Sequence, residues 1–516
     1  MFRTVRTGVR RSALAVLVVS IVLGTALAGT ASAKKETVDK TGVLKVGLSI
    51  EDNGGVYFDT CSPRAAANPS ARMWMDLIYD TMLHPSSDGK PTPGLATKWS
   101  TPDPQTVELT LRDGVKFADG QPFNADAVVK AWSCLLTGQR PNRGSDIEAM
   151  TAVEKIDDQN VRIKLSKPIA ANFINDALQN AVHLGVGSPA VAPGTGDTKP
   201  VGAGPYQLKS YTTGKIELER NPEFYDKASQ KLAGYEIDNV ATGAPSVSAL
   251  QAGTVDLIWN FPPDSVATLD SAPGLTVYSA PSEKQFQLSL CPTQGVFANK
   301  TARQAIQWAV DRAAIDAGAL DGTGASNQTF LTPVSPYFNK TLAKTYKYDV
   351  KKAKALLKEA GVAEGTAVNM LVPTQPPYPA IGELAQSQLK AIGLNPTITQ
   401  TASLAADAAR IKPDLLVVSI EPSRGGLLYE NESPLNPCGW KDPTVIAALN
   451  KTRDTTLTEA QKKAAWDDFQ KIILDQSANI ITNLQGALAA YSEKVRGLSV
   501  VNSTYGPYLN TVYLVK

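Results

Sequence analysis

Histidine is nearly absent from this chain, with only His84 and His183 among 516 residues. That scarcity, together with the lack of an H-E-x-x-H helix, argues against a protein-built zinc centre and a histidine-based catalytic set. His84 precedes Pro85, and His183 stands between Val182 and Leu184, positions that suit packed or capping side chains. Cysteine is sparse too. Cys61, Cys134, Cys291 and Cys438 lie far apart, so no metal ligation is expected, and in an oxidising compartment they would form two disulfides out of three pairings. An excess of one charge is also missing: 51 basic against 49 acidic residues leave +2, so no nucleic-acid partner is indicated. Beyond the N-terminus no apolar run reaches the roughly 18 residues of a membrane span.

The motifs of common hydrolases are likewise missing. No G-x-S-x-G elbow occurs, and Ser387-Gln-Leu-Lys390 sits mid-helix without a K-T-G partner. The glycines of Gly202–Gly204 are not followed by Lys-Ser or Lys-Thr, so they make no phosphate loop. Acidic residues are scattered, and no pair stands out as a glycosidase acid and nucleophile. No enzymatic activity and no cofactor are expected.

The N-terminus reads as an export signal over residues 1–33. Arg3, Arg6, Arg10 and Arg11 precede the apolar stretch Ala13 to Leu23, and Ala31-Ser32-Ala33 supplies small residues for cleavage. The mature protein is therefore expected to start at Lys34, outside the cytoplasm. A chain of this length exceeds one hydrophobic core, so two or three domains are expected.

The most informative stretch is Leu95 to Val129. Thr106, Val107, Leu109 and Leu111 have the branched, partly alternating pattern of a strand. Asp113-Gly114 and Asp119-Gly120 supply turns that tolerate positive φ, and Asn124 is placed to cap a helix with Asp126 in its first turn. Further landmarks follow in order: Val201-Gly-Ala-Gly-Pro-Tyr206, Leu218-Glu-Arg-Asn-Pro222, Ala249-Leu-Gln-Ala-Gly-Thr-Val-Asp256, Ala302 to Arg312, and Lys351 to Gly361. This series, spanning about residues 42 to 500, resembles the family 5 extracellular solute-binding proteins, the peptide-, nickel- and sugar-capturing subunits of ABC importers.

Periodicity gives strands at 43–49 and 161–165, a helix over 72–83, and a Gly/Pro-rich linker at 185–200. Strands follow at 206–211, 215–220, 234–240 and 255–260, with a short helix at 245–252. Beyond Leu290, helices near 299–318, 349–360, 380–391, 442–453 and 458–475 alternate with strands near 367–372, 395–400 and 413–419, which suggests an α/β lobe with a largely parallel sheet. The resemblance implies an α/β, two-lobed periplasmic-binding-protein-like (Venus flytrap) fold with an additional small domain. Lobe one would comprise 42–58, 197–289 and 490–516, the inserted small domain 59–196, and lobe two 290–489. That partition favours the pairings Cys61–Cys134 and Cys291–Cys438.

By the same resemblance, the ligand would lie between the lobes and be captured by hinge closure, by a monomer that delivers it to a membrane permease. The residues falling where the family lines its cleft are Tyr57, Asp59, Trp259, Asn260, Glu421, Arg424, Asn436, Trp440, Asn483 and Gln485. Peptide binders of the family often place an Asp near the strand end occupied here by Val417-Val-Ser-Ile-Glu-Pro-Ser-Arg424. Glu421 either takes over that ammonium-binding role or corresponds only to the acid of a following D-P step, and Arg424 suits an anionic ligand group. The expected ligand is an oligopeptide. An oligosaccharide is the main alternative, favoured by Trp259, Trp440 and the missing Asp, followed by a nickel chelate. Outside the class stand a secreted hydrolase or an interaction protein reusing the fold.

Overall fold

The computed structural model describes residues 36–50, 58–59, 69–86, 90–136, 147, 149–175, 177–179, 184–191, 199–333, 335–420, 422, 426–429, 436, 438–454, 456–498, 501–502 and 506–516. The chain divides into Met1–Thr37 and Val38–Lys516, and everything below concerns the second unit. The expected export signal lies outside the described residues.

Strand β1 (Val43–Leu48) leads to helix α1 (Arg72–Tyr79). This helix stops four residues short of the expected end at Leu83. Asp80 adopts φ +60° and its carboxylate accepts the Thr81 N–H at 2.8 Å, which turns the chain into a short strand, Leu83–Pro85. The stretch after Leu95 folds as its residues suggest. β2 (Ala96–Asp103), β3 (Thr106–Leu111), β4 (Met150–Lys155) and β5 (Asn160–Leu165) form a four-stranded antiparallel sheet ordered β2-β3-β5-β4. Gly114 and Gly120 take φ of +70° and +81°, the left-handed region their turns require. Asn124 caps α2 (Ala125–Trp132) by accepting the Ala127 N–H at 3.0 Å, and Asp126 pairs with Lys155 at 2.7 Å. Val107, Leu109, Val128, Trp132, Ile163 and Phe173 close a core of their own over this sheet.

β6 (Tyr206–Thr212), β7 (Lys215–Arg220), β8 (Gly234–Asn239), α3 (Ala244–Gln251) and β9 (Leu257–Trp259) follow. The Gly-Ala-Gly motif before β6 has a packing cause. A Cβ on Gly202 would lie 2.1 Å from the Ile78 carbonyl oxygen, and one on Gly204 2.4 Å from that of Leu77, because the chain crosses directly over the backbone of α1. Gly204 donates its N–H to Ile78 at 2.9 Å, and the buried Asn221 side chain donates to the Gly204 carbonyl at 2.8 Å, tying the two sequence motifs together.

Next come the long β10 (Leu275–Leu290), α4 (Lys300–Ala309), α5 (Arg312–Ala319) and β11 (Ala325–Ser326). The single helix expected over 299–318 is thus two. Val310 is extended, and Asp311 caps α5 by accepting the Ala314 N–H at 3.0 Å. Then follow α6 (Val350–Glu359), β12 (Thr366–Pro373), α7 (Tyr378–Ala391), β13 (Leu394–Thr401), β14 (Leu415–Ile420), α8 (Pro443–Thr452), α9 (Glu459–Gln476) and β15 (Asn479–Ser492). Gly361 ends α6 at φ +73°.

One sheet runs through the molecule in the order β13-β12-β14-β10-β15-β9-β1-β8-β7-β6, with β11 joined to β15. β12 pairs in parallel with both β13 and β14, as the alternation of helix and strand suggested. β10 and β15 pair antiparallel and are its longest members. Each serves two different cores. Tyr278 of β10 and Ala489 of β15 pack with Leu44, Val46, Trp74 and Tyr235, whereas Phe286, Leu288 and Ile480 pack with Ile306, Met370 and Leu415. Between these ends the ladder is irregular: Pro281 faces Gly486 and Gln285 faces Leu484, so β10 carries two more residues than β15 in that interval.

The small sheet's surroundings meet α1 through a polar network. The buried Asp80 carboxylate contacts His84 Nε2 at 2.6 Å and accepts the Tyr225 hydroxyl at 2.9 Å. One turn earlier, Arg72 donates to Asp76 at 2.7 Å. Burial alone would depress the His84 pKa, but the Asp80 carboxylate, through charge and hydrogen bond, and the charge of Asp76 outweigh it and the net direction is upward.

Candidate ligand site

Four of the sequence-derived site residues meet where β10 and β15 pass between cores. Trp259 ends β9 opposite Ala489 of β15, and its indole N–H is buried without a hydrogen-bond partner among the described residues. Asn260 follows at φ +56°, exposed, with its N–H donated to the Leu488 carbonyl at 2.9 Å. Gln485 Nε2 donates to Asn260 Oδ1 at 3.3 Å, a contact between β15 and the loop after β9. Asn483 is fully buried and donates to the Arg312 carbonyl at 3.0 Å, while its Oδ1 has no partner.

Arg312 was recognised in the sequence only as the end of a motif, yet it organises this crossing. Its Nε donates to the Ile481 carbonyl at 2.9 Å and an Nη to Gln307 Oε1 at 2.7 Å. Burial lowers its pKa to about 10. The side chain and carbonyl of one residue thus hold β15 on either side of Thr482, whose hydroxyl donates to the Phe286 carbonyl at 3.1 Å.

A second group gathers around the disulfide Cys291–Cys438, present as expected. It ties the residue after β10 to a turn in which Asn436, itself buried, donates to the Trp440 carbonyl at 2.9 Å and accepts the Trp440 N–H at 3.1 Å. The ring of Trp440 packs edge-on against Tyr429 at 6.1 Å and is half-buried. Cys134 is disulfide-bonded as well, and its expected partner Cys61 lies outside the described residues. Asp59 is buried at 6% exposure, next to Phe58, whose carbonyl accepts the Tyr79 hydroxyl at 2.6 Å. Tyr57, Glu421 and Arg424 lie outside the described residues, as does His183.

Between the two groups runs one row of the sheet. Ile420, the last residue of β14, faces Gln285 of β10, which faces Leu484 of β15, which faces Ala325 of β11. The segment from Ile420 to Trp440 therefore leaves the sheet one residue from the register of Gln485. The first group brings amide side chains and an indole donor together, a set suited to holding a polar ligand without reacting with it.

Comparison with known proteins agrees in kind. The sequence model of the bacterial extracellular solute-binding proteins, family 5, matches residues 90–421. The chain belongs to this family. The glutathione-binding protein GsiB of Salmonella typhi is 28% identical over 480 residues, covering 87% of this chain and 91% of that protein. Di/tripeptide-binding protein 3 of Pseudomonas aeruginosa is 28% identical over 337 residues, 59% of this chain and 63% of its own length. Among solved structures, the ABC transporter substrate-binding protein CtaP of Listeria monocytogenes superposes with a TM-score of 0.77 at 23% identity, covering 92% of this chain and all of that one. DppA of Helicobacter pylori, solved with the peptide STSA, gives 0.74 at 21% identity over 92% and 98% of the two chains. These likenesses show the fold, an α/β periplasmic-binding-protein-like architecture with two lobes. As a family 5 member the protein is a solute-binding protein of the extracellular class.

Proposed function

We propose that this family 5 protein is exported, captures a short peptide between two lobes, and delivers it to the permease of an ABC importer. The observation that carries the reading is the β10–β15 pair, whose ends serve different cores and whose middle is irregular, as a hinge between two bodies requires. On this reading lobe one is 42–58, 197–289 and 490–516, the small domain 59–196, and lobe two 290–489. The protein works as a monomer, cleaved near Ala33, without catalysis or cofactor. Asp59, Trp259, Asn260, Gln485 and Trp440 face the ligand together with Tyr57, Glu421 and Arg424, while Asn436 and Asn483 hold the backbone that presents them. A peptide is favoured over other cargo by relatives named for glutathione and for di- and tripeptides.

A second reading, an oligosaccharide, is supported by the partnerless indole N–H of Trp259 and the half-buried ring of Trp440. Thermal stabilisation of residues 34–516 separates them. A ligand at 100 times its dissociation constant adds about 2.7 kcal/mol. Stabilisation by di- or tripeptides alone supports the peptide reading, stabilisation by oligosaccharides or nickel–histidine replaces it, and peptides without effect overturn it.

A further inference from the structure

Buried polar atoms normally find partners, so a group of them without a protein partner needs water, an ion or a ligand group to complete it. Such a group lies on the segments that pack about Phe330. Gln285, Thr332, Tyr429 and Gln470 are each at most 1% exposed, and Gln285 Oε1, Thr332 Oγ1, the Tyr429 hydroxyl and Gln470 Oε1 have no hydrogen-bond partner among the described residues. Two of the four residues touch Phe330 themselves, and the other two are placed beside it by the chain. Gln285 donates its Nε2 to the Phe330 carbonyl, the Tyr429 ring lies 6.2 Å from that of Phe330, and Phe469, the residue before Gln470, meets it edge-on at 5.3 Å. Thr332 is two residues further along the chain. The four free atoms comprise two amide oxygens and two hydroxyls, with no charge among them. The core around them is made by the aromatic rings of Phe330, Tyr429 and Phe469 with Ile420 and Leu428. Burial pushes the Tyr429 hydroxyl far up in pKa, and the same low-dielectric surroundings oppose any ionised occupant.

The cluster adjoins residues of the candidate ligand site. Gln285 shares its row with Ile420, where β14 ends, and the Tyr429 ring touches that of Trp440. Building on the peptide-capture reading above, we propose that this cluster is a recessed subsite for a neutral, hydrogen-bonding ligand side chain, a primary amide or a hydroxyl. An amide would give its N–H groups to the two glutamine oxygens and take a hydroxyl hydrogen bond on its carbonyl. A carboxylate of the same shape offers no donor and carries a charge, and an aliphatic side chain leaves the four atoms unpaired.

Titration calorimetry of residues 34–516 with tripeptides of alanine, carrying Gln, Leu or Glu at each position in turn, tests this. Binding of the Gln peptide about tenfold or more tighter than the Glu and Leu peptides at one position is expected. Tyr429→Phe should cut that preference severalfold, weakening the Gln peptide and not the Leu peptide. Equal binding of all three, or an equal loss for all three in Tyr429→Phe, overturns the subsite while peptide capture stands. If no tripeptide binds, both the subsite and the capture of peptides fall. A high-resolution crystal structure without ligand gives an independent check: ordered water on the Tyr429 hydroxyl and Gln285 Oε1 is expected, and a dry, fully packed cluster overturns the proposal.

Discussion

The junction of α1 with the small sheet and the cluster around Phe330 are both buried and both polar, yet they are finished differently. At the junction Asp80 has His84, Tyr225 and the Thr81 N–H as partners, and Gly202 and Gly204 let backbone lie on backbone. Around Phe330 four side chains are equally buried and each keeps an atom unused. A network that satisfies itself rigidifies the scaffold, whereas unpaired buried polar atoms are costly. On the subsite proposed above, the contrast separates the part of the protein that holds the site from the part that receives the ligand.

The largest effect should come from closing the gap at the junction. Gly204→Ala places a methyl group 2.4 Å from the Leu77 carbonyl oxygen, and a destabilisation of about 3 kcal/mol or more is expected in urea unfolding. A loss within experimental error would show that α1 and the Gly-Ala-Gly segment are not pressed together. A pair of Tyr→Phe substitutions then compares the two regions directly. Tyr225→Phe removes a hydrogen bond to a buried carboxylate and should lower stability by about 1.5–3 kcal/mol, whereas Tyr429→Phe removes a hydroxyl that has no partner in the protein and should leave it close to unchanged. Equal losses in the two variants would erase the distinction.

The smallest effect is a pH dependence. The folded His84 pKa is raised above the ordinary 6.5, so protonated His84 favours the folded state. Its contribution is full below pH 6.5 and is lost as the pH rises through the higher folded value. The unfolding midpoint of wild type should therefore fall relative to His84→Gln across that interval, and parallel profiles would show that His84 is not coupled to Asp80 and Asp76.

What the residues reveal on their own is what local chemistry decides. Asp-Gly turns, the Asn124 cap and the Gly361 terminus act within a few positions and appear where the sequence puts them. The break between α4 and α5 is not legible, because Ala309-Val310-Asp311 continues a helical pattern and only the Asp311 cap and the reach of Arg312 to β15 interrupt it. The crossing strands are hidden for a different reason. Pro281-Ser-Glu-Lys284 and Thr482-Asn-Leu-Gln-Gly486 are polar enough to read as loops, yet they lie within strands. At the candidate site, Trp259, Asn260 and Gln485 are brought together, while Asn436 spends its side chain on the Trp440 backbone, and nothing in either sequence segment distinguishes these roles. Gln285, Thr332 and Gln470 went unnoticed because isolated polar residues give no pattern, and only the fold gathers them around one ring.

Capture by closure of two lobes about β10 and β15 is the central claim, and small-angle X-ray scattering of residues 34–516 tests it most directly. With a tripeptide added at a concentration that saturates its thermal stabilisation, the radius of gyration should contract relative to the ligand-free protein. A profile identical with and without the stabilising peptide would contradict hinge closure.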